Sequence, residues 1–280
     1  MGTAPRLSER QFRSWRALLE RGTGLRLPEA RRPQVETLVA ERAAATGCAG
    51  FAEYLHRLVH RPSFGRREWQ LLAARLAVRE TRFFRHPAVF AAMGRHLAER
   101  LRAGEQRLSL WSAGTASGEE AYSLAILAAR LAAGRPEPLE FLVVGTDIDG
   151  EALARAAAGV YREPLRRGLE AADLAAFFEP AGAGAWRVRE SLRRRVRFLR
   201  HDLLEEASGA LLPAMDLISC QNVLVHLTPW RRRVAARRLA ERLKPGGLLV
   251  FSPGDLGGWR PEGLERMADL PAAFRRPMGQ

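Results

Sequence analysis

The stretch that most constrains this chain runs from Leu108 to Leu124 and reads LSLWSAGTASGEEAYSL. A short apolar run (Leu108, Leu110, Trp111) meets a turn of small residues holding Gly114 and Gly118. The turn opens into a helix-forming segment led by Glu119 and Glu120. The pattern predicts strand, glycine loop, helix. Such a loop brings bare backbone close to a ligand, and the first N–H groups of the helix have no partner inside it, so they can take a polar or anionic group. A purely structural turn reads the same way, because the spacing is not the G-x-G-x-x-G dinucleotide fingerprint.

The downstream text favours the ligand. A second apolar run, Phe141 to Val144, leads through Gly145 and Thr146 to Asp147. An acid at the carboxyl end of the second strand of an open α/β sheet is placed to accept hydrogen bonds from two ribose hydroxyls. A helix is expected from about 150 to 158, stopped at Gly159. Residues 161 to 195 alternate weakly and suggest a small antiparallel excursion. Val196 to Leu199 reads as a strand ending at His201-Asp202, where Asp202 either receives an adenine amino group or caps the next turn. Met215 to Cys220 reads as a buried strand. Leu243-Lys244-Pro245-Gly246-Gly247 reads as a helix stop ahead of a strand from Leu248 to Ser252. Thr228-Pro229 starts a basic helix, and beyond Ser252 the text becomes loop-like, with little signal from Phe274 onward. The fold class expected is a doubly wound α/β sheet with a nucleoside at the strand ends.

Ahead of this, residues 1–78 read as helices only. Ser8 and Gln11 form a capping box, and three apolar stripes follow at helical spacing: Phe12, Trp15, Leu19; Phe51, Tyr54, Leu55, Leu58; and Trp69, Leu72, Leu76. Arg79 opens a change of text, RETRFFRHPAVF. Either its aromatics plug a core in a linker, or the segment sets Thr81 and Arg85 in a ligand cleft between domains. The expected division is a helical domain, 1–78, and a ligand-binding α/β domain, 79–280.

Composition bounds the function. The chain has 280 residues and a net charge of +14, an invitation to a nucleic-acid reading. Lys244 is the sole lysine, so 44 of 45 cations are arginine in an alanine-rich background, which fits compositional bias and solvated helix faces as well as phosphate binding. Two cysteines, Cys48 and Cys220, exclude a disulfide framework and a four-cysteine metal site. Apolar runs are too short to span a bilayer, and MGTAPRLSER lacks a signal-peptide core, so a cytoplasmic protein without membrane insertion is expected.

Taken in order, TRFFR (81–85), WSAGTASGEEAYSLA (111–125), GTDIDGEALARAAAGVYRE (145–163), WRVRESLRRRVRFLRHDLL (186–204), DLISCQNVLVHL (216–227) and LKPGG resemble the CheR-type methyltransferases, which use S-adenosylmethionine to methylate glutamate side chains on chemoreceptors. The resemblance implies a class I, Rossmann-like methyltransferase sheet with a small antiparallel β-subdomain inserted at about 161–200, an N-terminal helical domain, S-adenosyl-L-methionine as donor, S-adenosyl-L-homocysteine as product and no metal. The implied partner is the cytoplasmic domain of a methyl-accepting chemoreceptor, with the enzyme a monomer and no nucleic acid involved. Carried over by motif, Thr81, Arg85, Glu119, Asp147, Asp202, Leu203 and Asn222 are cofactor contacts, with Arg79 and Gln221 assigned by position only. Arg85 is the candidate for steering the acceptor carboxylate, and His226 for packing beside the reacting methyl. Departures from the family pattern are Arg79 for Asn, Gln221 for Arg, His226 for Tyr, and Ser252-Pro253-Gly254-Asp255 for Gly-His-Ser-Glu.

The chemistry is consistent with the residues. A glutamate with a pKa of about 4.3 is already ionised at neutral pH, so no general base is needed, and the six histidines show no metalloprotease or Cys-His spacing. A CheR-like binding module without turnover is the competing reading. Nucleic-acid methylation ranks lower, since Cys220-Gln221-Asn222-Val223 is not an Asn/Asp-Pro-Pro-aromatic turn.

Overall fold

The computed structural model describes residues 7–77, 80–162, 168–205 and 212–279. Two compact units are present, residues 1–78 with 226–231, and residues 79–225 with 232–280.

The first unit is helical. Helix α1 (Glu9–Thr23) starts at the Ser8/Gln11 capping box and ends at Gly24, whose φ of 77° is the left-handed conformation that glycine adopts without strain. A single 3-10 turn leads to α2 (Arg32–Ala45), with Pro33 in its first turn; α3 (Phe51–His60) and α4 (Pro62–Leu76) complete the bundle. The stripes read from the sequence are its core: Phe12, Trp15, Leu19, Tyr54, Leu58, Leu72 and Leu76 are buried. Buried Glu68 takes both Arg42 (2.7 and 3.1 Å) and the Tyr54 hydroxyl (2.8 Å), so this buried charge is paired. Residues 226–231 join the bundle through an antiparallel bridge between Leu25 and Leu227 and the Arg26 N–H donated to the His226 carbonyl.

In the second unit, α5 (Pro87–Arg102) precedes β1 (Arg107–Ala113), α6 (Glu119–Ala133), β2 (Glu140–Asp147) and α7 (Gly150–Ala158). A small excursion follows, made of β3 (Val160–Arg162), α8 (Ala171–Phe177), β4 (Phe178–Pro180) and β5 (Ala185–Val188). The chain then runs through α9 (Glu190–Arg193), β6 (Val196–Arg200), β7 (Met215–Cys220), α10 (Pro229–Glu241) and β8 (Leu243–Phe251), ending with β9 (Glu265–Arg266) and β10 (Ala273–Arg275). The main sheet has the order β6-β2-β1-β7-β8-β10-β9, with the first five strands parallel and β10 antiparallel to β8. The reversal of strand order beside β1 is the topological switch point, where open α/β sheets bind ligands. The excursion forms its own antiparallel sheet, β3-β5-β4. Because β6 pairs with β2 in the main sheet, the excursion ends before residue 196, where the residues themselves read as the next strand.

Three sequence expectations are resolved by packing. Phe83 and Phe84 are buried and plug the core: Phe83 packs edge-on to Tyr161 and Phe178, and Phe84 edge-on to Phe90. The Pro-Gly-Gly segment is no helix stop. Helix α10 ends at Glu241, and Lys244 to Gly247 bulge inside β8, shifting its register against β7 between Met215 and Leu217. Gly247 lies where a Cβ would stand 2.9 Å from the Lys244 and Met215 carbonyls, so the bulge requires its bare backbone. Strand β10, silent in the sequence, closes the sheet with Ala273 and Phe274 buried.

Candidate functional site

The carboxyl ends of β1, β2 and β7 converge at the switch point. After Ala113 the chain turns sharply: Gly114 has φ 82°, and a Cβ there would stand 2.4 Å from Val223 Cγ2, while its N–H and that of Thr115 both donate to the Thr146 carbonyl (2.8 and 2.9 Å). Gly118, φ 97°, begins α6 with no side-chain cap; a Cβ would meet Ala156 Cβ at 2.7 Å and Tyr161 Oη at 2.9 Å. The loop is therefore pinned to β2 and α7 by contacts that only glycine permits.

Asp147, at the end of β2, faces this loop. Its Oδ2 accepts the Ala116 N–H (2.8 Å) and its Oδ1 the Asp149 N–H (2.9 Å), leaving acceptor capacity on both oxygens. Burial pushes its carboxyl pKa up, against the pull of those N–H groups. Glu119 accepts the Ser117 hydroxyl (2.8 and 3.0 Å to its two oxygens) and the Thr81 hydroxyl, and burial raises its pKa as well. Thr81 and Glu119 are thus brought together. Their backbones are tied too, since Phe84 N–H donates to Ser123 Oγ (3.0 Å), which in turn donates to the Glu119 carbonyl (2.6 Å). Phe84 takes a left-handed φ of 44°, strain held in place by the burial of its ring. Arg85 folds back onto its own segment, Nη1 donating to the Glu80 carbonyl (2.7 Å).

The turn after β7 carries Gln221 and Asn222. Gln221 Nε2 donates to Ser219 Oγ (3.0 Å) and Glu120 Oε2 (3.3 Å), and its Oε1 is buried without a partner. Asn222 has φ 59°; its Oδ1 lies 3.3 Å from His86 Nε2, and its N–H donates to Asp255 Oδ2 (2.9 Å). Fully buried Asp255 also accepts the N–H groups of Ser252 (2.8 Å) and Val225 (2.9 Å), so one carboxylate shapes the whole turn. Asp202 caps its own turn, Oδ1 accepting the Leu204 N–H (2.9 Å). Leu203 lines a cavity of about 140 Å³ with Trp111, His201 and Leu239. Cys220 is fully buried and burial pushes its thiol well up, which makes it a packing residue. Arg79 lies outside the described residues. His226 groups with the helical unit, not with the sheet unit that holds the other candidates.

Sequence reasoning missed Glu120 and Asp255 as working residues. Glu120 had stood only as a helix former, and Asp255 as the end of a divergent tetrapeptide. Nothing in the local text shows that Glu120 faces Ser112 Oγ (2.8 Å) and that Asp255 turns back under Asn222.

Comparison with known proteins bears on this geometry. Residues 79–255 match the family model of the CheR methyltransferase, SAM binding domain, and residues 10–77 that of the CheR methyltransferase, all-alpha domain. A chemotaxis protein methyltransferase from Salmonella typhimurium is 33% identical, over 87% of this chain and 82% of the relative. One from Escherichia coli K12 is 32% identical over 87% and 83%, and one from Vibrio anguillarum 29% over 90% and 91%. Both domain models and the full-length relatives agree, and the chain belongs to the CheR methyltransferase family, with a SAM-binding domain built on the sheet described above.

Proposed function

We propose that this protein is a cytoplasmic protein-glutamate O-methyltransferase that modifies the cytoplasmic domain of a chemoreceptor, with S-adenosyl-L-methionine as donor and S-adenosyl-L-homocysteine as product. The observation that carries the proposal is Asp147: a carboxylate with spare acceptor capacity at the end of β2, beside a glycine loop, is the partner a ribose diol requires. The unpartnered Thr115 Oγ1 and Gln221 Oε1 on the neighbouring turns give a polar ligand further anchoring points. Glu119 with Thr81, Asp202, Leu203 and Asn222 complete the set of proposed cofactor contacts.

When bound, the cofactor supplies an electrophilic methyl on a sulfonium. Transfer of that methyl to a glutamate oxygen of the receptor would bring a carboxylate against a sulfonium, with Asp147, Glu119, Thr81 and Asn222 holding the donor in place. Two opposite charges vanish in the step, so exclusion of water and alignment lower the barrier and no base is needed. Arg85, beside Thr81 in the chain, is proposed to release Glu80 and steer the incoming carboxylate. Among the described residues no group of His, Cys, Asp or Glu is arranged to hold a metal, and no helix is long and apolar enough to cross a membrane. Incubation with labelled donor and receptor cytoplasmic fragments tests the proposal. Base-labile label on the receptor is expected; donor binding with no transfer to any receptor would favour a regulatory module instead.

A further inference from the structure

Glu120 is partly buried on the first turn of α6, yet it forms no ion pair among the described residues. Its hydrogen-bond partners are neutral: Ser112 Oγ on β1 (2.8 Å), Ser219 Oγ at the end of β7, and the Gln221 amide (3.3 Å). The titratable groups facing it are Asp255, behind the turn that follows β8, and the thiol of Cys220. The two carboxyls are unequally served. Asp255 collects three backbone N–H donors, two on Oδ2 and one on Oδ1, and the Arg232 charge on α10 favours its anion, whereas Glu120 has hydroxyls and an amide that serve an acid as well as an anion. Two carboxylates bracketing one turn repel, and the proton goes to the member with the weaker anion cradle. We propose that Glu120 is a positioning residue for the cofactor turn: with Asp255 it forms a carboxyl pair around Gln221 and Asn222 that holds one negative charge, on Asp255, and one proton, on Glu120.

Burial and the Asp255 charge push the Glu120 carboxyl up to about 7, in keeping with this arrangement. A raised carboxyl favours the folded state fully below its ordinary pKa, and that advantage is lost as pH rises towards the folded value. Ionisation of Glu120 then sets a second negative charge against Asp255 and loosens the turn that presents Asn222. The inference rests on the reading that an S-adenosyl ligand contacts this turn.

The test uses the full chain as wild type, Glu120→Gln and Glu120→Ala, with urea unfolding and S-adenosylhomocysteine calorimetry from pH 5.5 to 8.5. The wild-type folding equilibrium should fall relative to Glu120→Gln by on the order of ten- to a hundredfold across that range, discounted for partial exposure. Affinity of the wild type should fall above pH 7 relative to Glu120→Gln, while Glu120→Ala binds about tenfold more weakly throughout, a loss that glutamine repairs. Parallel pH profiles for wild type and Glu120→Gln, or a Glu120→Gln protein as weak as Glu120→Ala at pH 6, would overturn the proposal. Absence of binding by all three proteins overturns the functional reading instead, and the unfolding profiles still decide where the proton resides.

Discussion

Removal of Asp255 carries a cost that can be worked out from its hydrogen bonds. Its carboxylate is inaccessible to solvent and accepts three backbone N–H groups, from Asn222, Val225 and Ser252, at 2.8–2.9 Å. Hydrogen bonds to a charged partner contribute roughly 1.5–3 kcal/mol each, and a buried donor left without an acceptor costs about 1–3 kcal/mol. Against this stands the relief of desolvating a carboxylate, visible in the upward push of burial on its pKa. The net expected for Asp255→Ala is a loss of about 3 kcal/mol, close to a 150-fold change in the folding equilibrium. Asp255→Asn keeps one acceptor oxygen and should lose about half as much. Urea unfolding measures the loss, and hydrogen exchange locates it, since protection should collapse at the amides of Asn222 and Val225. A change below about 1 kcal/mol, or exchange at those amides no faster than in wild type, would refute the reasoning.

Further outcomes follow from the same geometry. Asp255→Asn removes the charge opposing Glu120, so the pH-dependent fall in stability should move to lower pH; an unmoved profile would dissociate the two carboxyls. Gly118→Ala forces an L side chain into φ 97° against Ala156 and Tyr161, and should cost about 2–4 kcal/mol in urea unfolding. In the helical unit, Glu68→Ala strands Arg42 and the Tyr54 hydroxyl and should destabilise by about 3 kcal/mol; Glu68→Gln, which keeps an acceptor for Tyr54, should cost less. Ligand affinity should weaken at acid pH as Asp147, already raised by burial, takes a proton and can accept fewer hydrogen bonds. Calorimetry at pH 5 and 8 checks this against an Asp147→Asn variant, which should lose the dependence.

How much of this was legible in the residues depends on the range of the interaction. The β1–loop–α6 unit, Asp147 at the end of β2, the buried β7 and the capping box at Ser8 are all local: periodicity, glycine and a reciprocal cap lie within a few positions of each other. Adjacent Phe83 and Phe84 leave two accounts open in the residues, a core plug or a segment that sets Thr81 and Arg85 in a cleft; burial of both rings bears out the plug, and the two accounts do not exclude each other. Lys244 to Gly247 misled because Pro-Gly-Gly serves a strand bulge as readily as a helix end, and the register shift depends on the facing Met215. Strand β10 was invisible since a three-residue strand has no period to read, and its burial comes wholly from β8. The roles of Glu120 and Asp255 were out of reach for a similar reason: each acts on Gln221 or Asn222 across 33 to 101 positions of chain.

The proposed role of Asp147 beside the Gly114 loop is tested most directly by titrating S-adenosylhomocysteine into the full chain and its Asp147→Ala variant in a calorimeter. A single site is expected in the wild type, weakened about a hundredfold in the variant by the loss of two hydrogen bonds to a charged acceptor. No heat of binding with the wild type, or equal affinity for both proteins, would contradict the assignment.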